Sequence, residues 1–188
     1  MRLRLVTSNR HKLEEYRQGL APLGVAVEHL QADCDEIQAD TLEEVVLACM
    51  RQLRAGGHRD FMVDDSGLFV PSLNGFPGVY SAYVMHTLGC QGMLRLIDGL
   101  DRKARFECCI GVCSDELGEF TVTGASPGRI IHEERGMEGF GYDPIFVPDG
   151  QELTFAQMDM GTKNAYSHRG RAMQALVPEM RRRMEGRR

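Results

Sequence analysis

No stretch of this sequence approaches the run of about eighteen apolar residues that a membrane-spanning helix requires. A signal peptide is not expected either: MRLRLV alternates Arg2 and Arg4 with Leu3 and Leu5, a strand pattern rather than an apolar h-region. Together these two absences give the expectation of a cytoplasmic protein. Positive charge is not in excess. Lys and Arg number 22 against 27 Asp and Glu, a net charge of −5. That balance disfavours non-specific nucleic-acid binding but leaves room for cations gathered locally around a small anion. The six cysteines, at positions 34, 49, 90, 108, 109 and 113, show no C-x-x-C spacing and no nearby histidine cluster. A zinc site is therefore not expected, and buried free thiols are. Cys108 and Cys109 are neighbours in an apolar run, so at most one is expected to face the core. The phosphate-binding pattern G-x-x-x-x-G-K-[ST] is missing. Repeats, linkers and low-complexity tracts are missing too. At 188 residues, 43% of them hydrophobic, the chain suits one domain with or without a lobe.

What is present centres on residues 61–83, FMVDDSGLFVPSLNGFPGVYSAY. Phe61 to Val63 is a short apolar run of the kind a buried strand uses. It is expected to end at Asp64 and Asp65, with a second run, Leu68 to Val70, closed by Pro71. Neighbouring strand residues point to opposite faces, so one acid can face a site while the other pairs elsewhere. Two rigidly held carboxylates suit a general base or a hard cation such as magnesium.

Elsewhere the pattern alternates strands and helices. Val6 ends a first strand, and Leu13, Tyr16 and Leu20 recur at helical spacing, with Ser8 or Asn9 as cap. A helix start of this kind offers free N–H groups to phosphate, and Lys12 adds a mobile charge. Val25 and Val27 begin a second strand. Thr41 and Glu44 form a capping box for a helix with Leu42, Val45, Val46, Cys49 and Leu53 on one stripe, ended at Gly56. Met85 to Leu100 reads as a helix weakened by Gly89 and Gly92. Ala104 to Cys113 and Glu119 to Gly124 read as a hairpin, and Ile130 starts another strand after Pro127-Gly128. In the glycine-rich stretch 136–148, Phe140 stands between two glycines, free to stack on a base. Ser167 caps a last helix, which Pro178 is expected to kink or divide.

VDDSG followed by LNGFPGVYSAY resembles the inosine/xanthosine triphosphate pyrophosphatase family. TSNRHK, GFGYDP and SHRGRA match in the same order, so the resemblance runs from residue 7 to residue 172. LNGFPG and TLEEV are similar to the archaeal branch. The resemblance implies an α/β fold: a long, mixed, twisted sheet flanked by helices, a single domain over 1–188 with two lobes and a central cleft. It implies Mg²⁺-dependent hydrolysis of ITP, dITP and XTP to the monophosphate and pyrophosphate, by a homodimer. By the same resemblance, Glu36 and Asp65 hold magnesium and Asp65 is the general base. Thr7, Ser8, Asn9, Arg10, His11, Lys12 and Ser66 cradle the phosphates. Phe140 stacks on the purine, within a loop that includes Gly141 and Tyr142, and Asp143 holds the loop or the base. Lys163 contacts the nucleotide, and His168 and Arg169 read the base. One departure stands out: the bacterial branch carries an Asn and a Lys on the second helix, where this chain has Val45 and Cys49. Two alternatives stay open. One is a Maf-like pyrophosphatase for pyrimidine or modified nucleotides; the other is a nucleotide-binding sensor that does not turn over.

Overall fold

A computed structural model describes residues 1–7 and 9–186, and of Arg10 and His11 the backbone only. In chain order the elements are β1 (Arg2–Val6), α1 (Arg10–Leu20), β2 (Ala26–Leu30), α2 (Leu42–Ala55), β3 (Phe61–Phe69), β4 (Pro77–Gly78), α3 (Ser81–Thr87), α4 (Gly89–Leu96), β5 (Lys103–Ser114), β6 (Gly118–Ile130), β7 (Phe146–Pro148), α5 (Met160–Tyr166) and α6 (His168–Glu185). The fold is mixed α/β. Its seven strands form one sheet in the order β2-β1-β3-β5-β6-β7, with β4 on β3. β1 is parallel to both β2 and β3, whereas β4 and β7 pair antiparallel with β3 and β6.

The chain divides into two compact units. The first comprises Met1–Asp65, Cys109–Thr123 and the chain from Ala172 onward; the second comprises Ser66–Cys108 and Gly124–Arg171. In the first unit, Leu3, Leu5, Phe61 and Met62 are fully buried on the strands, with Tyr16 and Leu20 on α1. Ala172, Leu176 and Met180 recur every fourth residue along α6 and are fully buried. A Cβ built on Gly111 would fall 2.4 Å from the Met50 sulfur, so α2 packs directly on β5. The second unit has an apolar core that includes Phe106, Phe146 and Phe155. Phe106 meets Phe146 edge to face at 4.8 Å.

Several local expectations hold. α2 has its Thr41/Glu44 capping box, α1 starts after Asn9, and Ser167 Oγ accepts the Gly170 N–H at the start of α6. Others need correction. β3 is one continuous nine-residue strand, so Asp64 and Asp65 lie inside it rather than at its end. What does end at Val63 is the pairing with β1. The helix expected from Met85 starts earlier, at Ser81, and is broken in two at Gly89, whose φ of +63° no helix accommodates. β6 runs unbroken through Pro127, which sits just before the β7 pairing begins at Gly128 and whose carbonyl accepts the Asp149 N–H. α6 is not divided by Pro178. Both Cys108 and Cys109 are fully buried, because β5 has a strand on each side and is covered on both faces along its second half.

Candidate active site

In the first unit, β1 delivers the chain into the turn before α1. Asn9 closes that turn. Its N–H donates to Thr7 Oγ1 at 3.1 Å, and its side-chain oxygen accepts the Lys12 N–H at 3.4 Å, the bond of a helix cap. The first amides of α1 and the positive end of its dipole thus follow directly on Thr7. Ser8 and the side chains of Arg10 and His11 lie outside the described residues. Lys12 is not the mobile charge its sequence position suggested. Its ammonium donates to Asp64 Oδ1 at 3.0 Å, and the Asp64 side chain is fully buried. Burial of both partners fixes the geometry, since an unpaired carboxylate there would be costly.

Asp65, one residue along β3, faces the other way from Asp64. Both line a cavity of about 220 Å³ together with Thr7, Asp33, Asp35, Glu36, Val45 and Cys49. Acidic residues of two segments, 33–36 and 64–65, therefore line one space, with the Asp64 carboxylate itself turned onto Lys12. Asp33 and Asp35 were not singled out from the sequence, although the acidic run around Cys34 was the available signal. Among the described residues no three His, Cys, Asp or Glu side chains form a ready-made metal cage. Hard oxygen donors without a closed cage suit magnesium, which takes one or two carboxylates and completes its shell with water and substrate phosphates. Glu36 and Asp65 fit that description, and positions 45 and 49 of α2 face the same cavity without contributing a cation.

The expectation of six free thiols fails at this cavity. Cys34 and Cys49 are joined by a disulfide, with Cα atoms 5.3 Å apart, while Cys90, Cys108, Cys109 and Cys113 are free and buried. The 15-residue separation carries no motif; only the return of the 31–40 segment onto α2 brings the two sulfurs together. Gln52, also unmarked in the sequence, holds the same segment. Its amide donates to the Asp35 carbonyl at 2.9 Å and accepts the Asp35 N–H at 2.8 Å.

The second unit gathers a different set. Asp143 Oδ2 accepts the Phe140 N–H at 2.8 Å and the Lys163 ammonium at 2.6 Å. A Cβ on Gly139 would lie 2.2 Å from that same oxygen, and Gly139 has a φ of +80°. Only glycine allows both the turn and the close approach of the carboxylate. The Phe140 ring stays 38% exposed. The Lys163 ammonium lies 5.0 Å, and the Arg169 guanidinium 5.6 Å, from its centroid. Asp159 caps α5 by accepting the Thr162 N–H, which sets the helix that carries Lys163. Arg169 is buried, as is His168, whose ring stacks on Phe106 at 4.7 Å. Phe106 lies in the run read from the sequence as a hairpin strand and was not singled out there.

Tyr142 belongs to the core of this unit: its hydroxyl donates to the Ser81 carbonyl, and burial pushes the phenol above its ordinary range. Gly141 meets the scaffold through its carbonyl, which accepts from the Cys90 thiol. Ser66, half-buried, opens the second unit's part of β3. The structure thus brings together Phe140, Asp143, Lys163 and Arg169 in one unit, and Thr7, Glu36, Asp64 and Asp65 in the other.

The same residues lie within a segment shared with known proteins. The Ham1 family model matches residues 3–179. A dITP/XTP pyrophosphatase of Thermococcus kodakarensis is 51% identical over 178 residues, spanning 94% of this chain and 96% of its own. One from Methanopyrus kandleri is 42% identical over the full length of both. A Ham1 protein from Coxiella burnetii, solved as a structure, superposes with a TM-score of 0.81 at 30% identity, covering 94% of this chain and 96% of the other. With sequence and fold in agreement over nearly the whole chain, this protein belongs to the Ham1 family.

Proposed function

We propose that the protein hydrolyses non-standard purine nucleoside triphosphates (dITP, ITP and XTP) to the monophosphate and pyrophosphate. The observation that carries this reading is the first unit's cavity, lined by acidic residues of β3 and of the 33–36 segment together with Thr7, just ahead of the capped start of α1. Glu36 and Asp65 would hold Mg²⁺, which when bound neutralises phosphate charge and favours departure of pyrophosphate. Asp65 accepts a proton from the attacking water. The water oxygen forms its bond to the α-phosphorus, and the α–β bridging P–O bond breaks. Lys12 pairs with Asp64 and holds it in place, and Asp65 is the acid that acts on water. The amides that open α1 receive phosphate oxygens.

The second unit takes the base. Phe140 stacks on the purine, Lys163 contacts the nucleotide, and the donors of His168 and Arg169 meet the 6-oxo acceptor that separates hypoxanthine and xanthine from adenine. As parts of the same reading, the chain acts as a single catalytic domain, in the cytoplasm where nucleotide pools lie, and as a homodimer.

The test is pyrophosphate release from dITP, ITP, XTP, GTP, ATP and UTP with and without Mg²⁺, run in ¹⁸O-labelled water. Label is expected in the monophosphate, with the oxo purines well ahead of ATP. Orthophosphate with a diphosphate product would refute attack at the α-phosphorus. Preference for UTP would favour the Maf-like activity, and binding without turnover a sensor.

A further inference from the structure

Cys49 and Gln52 lie three residues apart on α2 and so share a face. That face meets the chain at consecutive residues, Cys34 and Asp35, directly ahead of Glu36. The attachments are of two kinds. One is covalent, the Cys34–Cys49 disulfide. The other is the double hydrogen bond by which Gln52 brackets the backbone of Asp35. The segment 31–39 has neither helix nor strand to hold it. Glu36 is itself exposed, so its position is set by what anchors the residues before it. Both cysteines also line the cavity that Glu36 shares with Asp64 and Asp65.

We infer that Cys34, Cys49 and Gln52 are positioning residues for Glu36, and that the dithiol/disulfide state of the pair sets how tightly the cavity takes its divalent cation. The inference rests on Glu36 being a magnesium carboxylate. In the oxidised protein the disulfide and the Gln52 clamp together hold the segment against α2. In the reduced protein only the clamp remains, and the carboxylate must be ordered at the moment of metal binding. The redox step balances as thiol–disulfide exchange. The two thiols give up two protons and two electrons to a small-molecule disulfide such as oxidised glutathione, which leaves as two thiols; a dithiol or phosphine reductant reverses it. Partners that orient metal ligands are worth about 10–100-fold in metal affinity, so a change of about tenfold is expected between the two states.

The experiment compares the oxidised protein, prepared with oxidised glutathione, with the same protein after phosphine reduction. Counting thiols in denaturant should give four when oxidised, the free cysteines 90, 108, 109 and 113, and six when reduced. Mn²⁺ is the probe, its binding to nucleotide-free protein followed by electron paramagnetic resonance. Deuterium exchange of residues 31–40 and the Mg²⁺ dependence of pyrophosphate release are recorded alongside. Reduction should weaken Mn²⁺ binding and raise half-saturating Mg²⁺ by about tenfold, speed exchange in 31–40, and move kcat at saturating Mg²⁺ far less. Reoxidation should reverse all of it. Cys49→Ser should behave as permanently reduced, and Gln52→Ala should add to the loss. Identical Mn²⁺ binding and exchange in the two states would overturn the inference. Glu36→Gln separates the two levels. If it weakens Mn²⁺ binding while redox state does not, the positioning role falls and the metal reading stands. If it binds Mn²⁺ like the wild-type protein, the metal reading falls and takes the inference with it.

Discussion

Removing the Asp143 carboxylate tests the architecture of the second unit. In the structure one oxygen, Asp143 Oδ2, serves both the Phe140 amide and the Lys163 ammonium. The two side chains are 4% and 12% exposed. Asp143→Ala deletes both bonds and strands a mostly buried cation. Breaking a buried pair from one side costs about 3–5 kcal/mol. Lys163 has a flexible stem and a route to water, so a loss at or just below the bottom of that range, about 2–3 kcal/mol, is expected. For a chain of this length a loss of 1 kcal/mol lowers the melting temperature by about 2–4 °C, which gives a drop of about 4–12 °C by calorimetry. Lys163→Met should restore part of it, because the stranded charge is gone; a double-mutant cycle should return a coupling of about 2 kcal/mol. Activity should fall through KM for ITP, since Phe140 loses the carboxylate that fixes its backbone. Strictly additive single and double mutants, or a melting temperature within 1 °C or so of wild type for Asp143→Ala, would refute the reasoning.

Three further outcomes are expected. Asp65→Asn should lower kcat by about 10²–10⁴-fold with the fold retained, whereas Asp64→Asn, which breaks the Lys12 pair, should show as lost stability; a dead Asp64→Asn beside an active Asp65→Asn would reverse the assignment of the base. Arg169→Ala should narrow the ITP/ATP ratio of kcat/KM by about tenfold or more, the unmatched donor being worth about 1–3 kcal/mol; an unchanged ratio with uniformly lower rates would make Arg169 purely structural. Burial pushes the Cys90 thiol up to about 12 from its ordinary value of 9.0. The unfolded chain therefore ionises first, so stability is fully present below pH 9 and is lost as pH rises towards 12. Cys90→Ala should flatten that alkaline limb in pH-dependent melting curves, and a limb of unchanged steepness would sink the assignment.

Much of this protein is written in short-range pattern. The Thr41/Glu44 capping box, the Asn9 cap, the helical spacing of Leu13, Tyr16 and Leu20 and the alternation in β1 and β5 each involve residues a few positions apart, where backbone sterics and caps act locally. The strings around Asp65, Phe140 and His168 are equally local, which is why the family was legible. Errors arose where a local breaker was outvoted by tertiary pairing. The sheet carries β3 through its acid pair and β6 through Pro127, while α6 continues past Pro178.

Only the tertiary structure decided which of two adjacent acids is sequestered, because Lys12 lies 52 residues from Asp64. It alone placed Asp33 and Asp35 in the cavity, set Phe106 against His168, and joined Cys34 to Cys49. These are contacts between side chains far apart in sequence. No periodicity encodes them: they form only when folded elements converge and burial forces each charge, thiol or ring to find a partner.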